Sequence, residues 1–115
     1  MRLVYKVVSQ AEWAEAERDG VFRGAAIDLR DGYIHLSSGE QVEKTVSLYF
    51  AERDDLVLAA LDADQLGPAF KWEPSRGGAL FPHLYATLPL DLVAWSKPFS
   101  SRDPQALRAL IADGG

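Results

Sequence analysis

Between Asp55 and Asp62 the chain runs Leu56-Val57-Leu58-Ala59-Ala60-Leu61 without a polar residue. An apolar run this short, closed by charge at both ends, predicts a strand covered on both faces. Such a strand belongs in the middle of its sheet and needs a packed layer above and below. With 115 residues there is room for one compact domain around it and none for a tandem architecture. The 48% hydrophobic and 25% charged content are those of a globular chain, one that buries roughly two thirds of its unfolded surface.

Residues 3–8 are apolar and β-branched, which predicts a first strand. Ser9 followed by Glu12 is a capping-box pattern opening a helix that Gly20 closes. Arg30-Asp31-Gly32 reads as a turn, and residues 33–37 as a strand with Ile34 and Leu36 on one face and Tyr33, His35 and Ser37 on the other. Ser38 with Gln41 repeats the capping pattern and predicts a helix opening there, in which Val42, Thr45, Val46, Tyr49 and Phe50 recur at helical spacing. After the central strand, residues 64–66 read as one helical turn and residues 70–73 as a strand stopped by Pro74. Residues 75–78 read as a loop, residues 84–88 as a strand with His83, Tyr85 and Thr87 on one face, and residues 92–95 as a last strand. Asp103-Pro104 supplies a cap and a first-position proline for a terminal helix over about residues 104–112, with Leu107, Leu110 and Ile111 as its apolar stripe. Strands outnumber helices and gather in the second half, so the fold class is α+β, in a single domain.

Lys plus Arg is 12 against 17 for Asp plus Glu, a net charge of −5 with a pI of about 4.9. That is the wrong sign for a generic nucleic-acid or anionic-membrane binder. Without cysteine there is no disulfide framework, thiolate nucleophile, Fe–S cluster or zinc knuckle, which suits a reducing cytoplasm. The apolar N-terminal run is broken at Lys6, and the longest uncharged run, residues 77–90, is interrupted by two prolines and a histidine. Neither a signal-peptide core nor a membrane span is expected, and a cytoplasmic location is.

The two histidines, His35 and His83, each stand in or beside a predicted strand on the face opposite the core residues. His35 has Tyr33 and Ser37 as same-face neighbours, and His83 has Tyr85 and Thr87. Two such faces on strands of one small sheet would make a cleft with imidazoles to bond ribose or phosphate and rings to stack on a flat base. The same pattern also fits structural histidines satisfied within the fold. Glu73, between Trp72 and Pro74, is placed to be a partly buried carboxylate of raised pKa, a general base or ribose ligand, or else a solvated strand-end charge. His35, His83 and Glu73 have metal-ligand chemistry but no metal-site spacing, and no metal is expected. Ser37 and Ser38 lack the elbow of a serine hydrolase, and no phosphate-cradling glycine loop precedes a helix.

Taken in order, several motifs resemble the domain-of-unknown-function 952 family over about residues 3–95. They are Gly32-Tyr33-Ile34-His35-Leu36-Ser37-Ser38, Gln41-Val42 with Tyr49-Phe50, Asp55-Leu56-Val57-Leu58 leading to Leu61-Asp62, Trp72-Glu73, and Phe81-Pro82-His83-Leu84-Tyr85. That family looks like a compact member of the ADP-ribosyltransferase-like superfamily. The stretch Ile34-His35-Leu36-Ser37, followed by an apolar strand ending in Asp62, is similar to the RNA 2′-phosphotransferase branch, which uses NAD to remove a 2′-phosphate from RNA. The resemblance implies a curved, split antiparallel sheet with flanking helices and a nicotinamide-dinucleotide-like cleft walled by the His35 and His83 strands. The chain departs from the pattern at Tyr5-Lys6, where a histidine commonly follows the tyrosine. It departs again at Pro82-His83-Leu84-Tyr85, where the glutamate that drives ADP-ribosyl transfer is expected.

What the resemblance implies for function is binding of NAD or a related nucleotide, with ADP-ribosyl transfer or NAD cleavage as the reaction. In that reading His35 and Ser37 hold ribose or phosphate, Lys6 neutralises phosphate and Tyr85 stacks on a base. Glu73 or His83 serves as acid or base. The expected partner is a nucleotide or phosphorylated small molecule, not nucleic acid in general and not a membrane. Two alternatives stand beside it. One is a non-catalytic module sensing a nucleotide or small anion; the other is a protein-interaction domain with Trp13, Trp95 and residues 81–98 partly exposed.

Overall fold

The computed structural model describes residues 2–114. The chain opens on β1 (Leu3–Ser9), α1 (Gln10–Asp19) and the short β2 (Val21–Phe22), then passes through α2 (Ala26–Asp31), β3 (Ile34–His35), β4 (Ser37–Ser38) and α3 (Val42–Tyr49). The long β5 (Leu56–Asp62) leads to β6 (Phe70–Pro74), β7 (Leu80–Leu84), β8 (Leu88–Pro89), β9 (Val93–Phe99) and the closing α4 (Pro104–Asp113). The fold is α+β. A four-stranded sheet has the order β4-β1-β5-β9, a three-stranded sheet β3-β7-β6, and β2 pairs with β8. The pairings are antiparallel throughout the described residues.

β5 lies between β1 and β9, and the residues from Leu56 to Leu61 are buried. Alternation divides them between two cores. Val57, Ala59 and Leu61 join Val4 and Val8 of β1 and Trp13 and Ala16 of α1 on one face. Leu56, Leu58 and Ala60 join Tyr5 and Val7 of β1, Val42 and Val46 of α3, and Leu107 of α4 on the other. That is why the run carries no polar residue: helices cover it on both sides. α1 begins with the full capping box, Ser9 Oγ accepting from the Glu12 amide (3.1 Å) and Glu12 accepting from the Ser9 amide (3.0 Å), and ends at Gly20 in the left-handed conformation. Asp103 caps α4 in the same sense, accepting from the Ala106 amide at 3.1 Å.

Several local expectations are corrected. The strand expected over residues 33–37 is two short strands in two sheets. Ile34 and His35 pair with β7, the Leu36 amide donates to the Pro82 carbonyl (3.0 Å), and Ser37 and Ser38 then pair with Tyr5 and Val4 of β1. Ser38 does not cap α3. It is in a strand, and residues 38–41 form a turn closed by the Gln41 amide on the Ser38 carbonyl (3.0 Å), so the helix starts at Val42. The strand expected over residues 84–88 comes earlier, as β7. The chain bends after Leu84, and Leu88 re-enters a sheet beside Phe22. The turn read at residues 30–32 is the end of α2, closed by Gly32 with φ 88°. Trp13 is 5% exposed and so is not presented for a partner, whereas Trp95 is half-buried, one side packed against the second core. Among the described residues no helix is long and apolar enough to cross a membrane.

Candidate functional site

The switch of the chain from one sheet to the other at Leu36 determines where the site forms. His35 is the last residue of β3 and stands directly across from His83 of β7, so the two rings share a face, with centroids 5.7 Å apart. One residue beyond the break, Ser37 pairs with Tyr5, next to Lys6 on β1. Strands from two sheets thus converge, and a cavity of about 460 Å³ opens between them. Lys6, His35, Ser37 and His83 line it together with the rings of Tyr5 and Tyr33.

Lys6 faces the core side of β1, between Val4 and Val8 and across from Ala59, whose small side chain leaves room for it. Its ammonium is 3.0 Å from both oxygens of Asp28 and donates to the His35 carbonyl, also at 3.0 Å. Asp28 is 2% exposed and accepts in addition from the Ala25 amide (2.8 Å), the His35 amide (3.0 Å) and His35 Nδ1 (2.7 Å). Burial alone would raise this carboxyl; the His35 ring, the Lys6 charge and the two amides outweigh it and hold the pKa down at about 2. Burial pushes the Lys6 ammonium below its usual value, with Asp28 opposing. His35 Nε2 meets Asp31 at 3.0 Å, and Arg30 beside Asp31 holds that carboxyl below its usual range. Both ring nitrogens of His35 are thus engaged by carboxylates.

His83 is held differently. Its Nδ1 lies 2.8 Å from Glu73, which also accepts from the Tyr85 hydroxyl at 2.7 Å. Those bonds, Tyr85 first and His83 second, lower the Glu73 pKa, and the same contact pushes the Tyr85 hydroxyl up to about 12. The raised Glu73 pKa expected from the sequence is therefore corrected: the carboxylate stands partly exposed behind His83 and is stabilised as the anion. An ionised Glu73 fixes the proton of a neutral His83 on Nδ1, leaving Nε2 as an acceptor. Among the described residues Nε2 has no hydrogen-bond partner. The Tyr33 ring stacks on His83 (centroids 4.2 Å, 28° between planes) and leans on His35 (4.5 Å), holding both imidazoles in place.

Of the residues singled out from the sequence, Lys6, His35, Ser37 and His83 reach one cavity, and Glu73 supports His83 from behind. Tyr85 does not line that cavity; it lies across the Tyr33 ring, 5.1 Å away, beside a shallower depression. Two donors of Lys6 are taken by Asp28 and His35, so its charge is an internal counter-ion. The Ser37 hydroxyl lies 3.2 Å from that of Thr45. Sequence reasoning passed over Asp28, the carboxylate on which Lys6 and His35 converge, and Asp31. The available signal was Lys6 itself, since a lysine in the middle of an apolar strand needs a buried acid.

The comparisons with known proteins agree with the fold and assign no activity. No curated protein matches. The crystal structure of protein CC0527 from Caulobacter crescentus is 43% identical, with 91% of this chain and 97% of that one covered and a TM-score of 0.84. A crystal structure of its double mutant gives 42% identity, the same coverage and the same TM-score. The solution NMR structure of CC0527 gives 48% identity over 87% of this chain and 86% of that one, with a TM-score of 0.79. Residues 7–96 match the family described as protein of unknown function (DUF952), and the chain belongs to it.

Proposed function

We propose that the cavity binds NAD or a related nucleotide and that His83 is its proton acceptor, with ADP-ribosyl transfer or NAD cleavage as the reaction. One observation carries this reading: two imidazoles stand directly across from each other on neighbouring strands at one cavity, each held by a carboxylate. Their surroundings differ, since both nitrogens of His35 meet carboxylates and His83 meets one through Nδ1 alone, an asymmetry that acid–base chemistry can use. The residues fit the ribose end of such a ligand. The Ser37 and Thr45 hydroxyls and the His83 imidazole suit sugar hydroxyls, and the Tyr5 and Tyr33 rings supply flat apolar walls. The bond offered for cleavage is the one joining ribose to nicotinamide. Nε2 of His83 would take the proton of the attacking water or alcohol, while Glu73 stabilises the imidazolium that results.

The test is nicotinamide release from NAD by the native protein and by His83→Ala. Release by the native protein that falls at least about a hundredfold in the variant is expected, the usual weight of a general base. A native protein that binds NAD and releases nothing favours the non-catalytic sensor. One observation leans that way: both ring nitrogens of His35 and two donors of Lys6 are already spent on protein groups.

A further inference from the structure

Tyr33 has a cavity on each side. The side facing His35 and His83 is the site described above. Beyond the ring lies a depression of about 290 Å³ lined by Arg23, Leu29, Tyr85 and Thr87, with Asp28 at its floor. Resting on the nucleotide reading, we infer that this depression is the second half of the same site and takes the phosphate-bearing arm of the ligand.

The charges favour an anion there. The Asp28 carboxylate at the floor is already paired with the Lys6 ammonium and bonded to His35. Arg23, on the wall, is a surface side chain whose guanidinium lies 2.9 Å from Asp19, four residues back. Such exposed pairs contribute little, so the guanidinium can exchange Asp19 for a phosphate, which it binds through paired donors. Lys71 stands outside the lining, with its ammonium 5.5 Å from the centre of the Tyr85 ring that forms part of it. Leu29 and Tyr85 are 67% and 43% exposed, apolar surface that a ligand would cover. The inner cavity offers the reverse: hydroxyls, imidazoles and rings, with its lysine committed. A ligand spanning Tyr33 would place its sugar and leaving group inside and its phosphates outside, which selects a phosphorylated nucleotide over a nucleoside.

The experiment is calorimetric titration of the native protein and of the double variant Arg23→Gln, Lys71→Gln with NAD and with nicotinamide riboside, which lacks phosphate. Both changes are on the surface, and thermal melting confirms that the variant folds. The expected result is about tenfold weaker NAD binding in the variant, with riboside binding unchanged. Unchanged NAD affinity in the variant, or an equal loss for both ligands, overturns the phosphate subsite and leaves the nucleotide reading standing. Absence of NAD binding by the native protein overturns both, and His83→Ala as a further control separates the cases: NAD binding lost there but intact in the double variant sinks the subsite alone.

Discussion

Lys6 is on the core face of a sheet, where an unanswered ammonium would be untenable, and Asp28 answers it at 3.0 Å while also holding His35. One buried carboxylate therefore joins the stability of the first core to the geometry of the cavity. Asp28→Asn leaves Lys6 as an uncompensated buried charge and is expected to cost about 3–5 kcal/mol in urea unfolding. The pH dependence follows from the direction of the shift. A carboxyl lowered from 3.8 to about 2 in the folded protein contributes stability that is fully present above pH 3.8 and lost as pH falls through 2. The loss is about 2 kcal/mol. Unfolding midpoints at pH 5, 3 and 2 measure it, and in Asp28→Asn this part of the acid slope is absent; an unchanged slope would detach the carboxyl from the stability of the fold. His35 and His83 were legible as a pair because alternation put them on the polar faces of strands. Asp28 was not, because an aspartate three residues before Asp31 looks like ordinary surface charge until the partner strand is known.

At the scale of elements, what could be read from the sequence is what local chemistry decides. The α1 cap is such a case: the Ser9 hydroxyl and the Glu12 carboxylate satisfy each other's backbone amides with no help from the rest of the fold. Ser9→Ala is expected to lower stability by about 1 kcal/mol in denaturant titration without altering ligand binding. The same pattern at Ser38 and Gln41 misleads because tertiary pairing takes priority. Ser38 is drawn into β4 beside Val4, and of the cap only the Gln41 side chain on the Ser38 amide (3.0 Å) survives. Residues 34–38 show why strand boundaries were harder to read than strand character. Their alternation is continuous, so nothing in it marks the point at which the chain leaves one sheet for another, and the site exists because it does so at Leu36.

Over the whole molecule, the apolar run at residues 56–61 organises two cores, and the cavity opens beside them where the three-stranded sheet meets the four-stranded one. The family relation and the α+β class were within reach of the sequence, since ordered motifs and strand-to-helix balance are carried by the chain itself. The division of the strands into three sheets was not, being a matter of long-range pairing. A fold does not name its ligand, and it is the paired histidines that point to one here. The most direct test is calorimetric titration of the native protein with NAD, repeated with His35→Ala and His83→Ala. Saturable heat in the native protein that is lost in both variants, with their folds intact, is the predicted result. No heat at millimolar NAD, or binding that survives both substitutions, would contradict the assignment of this cavity as the nucleotide site.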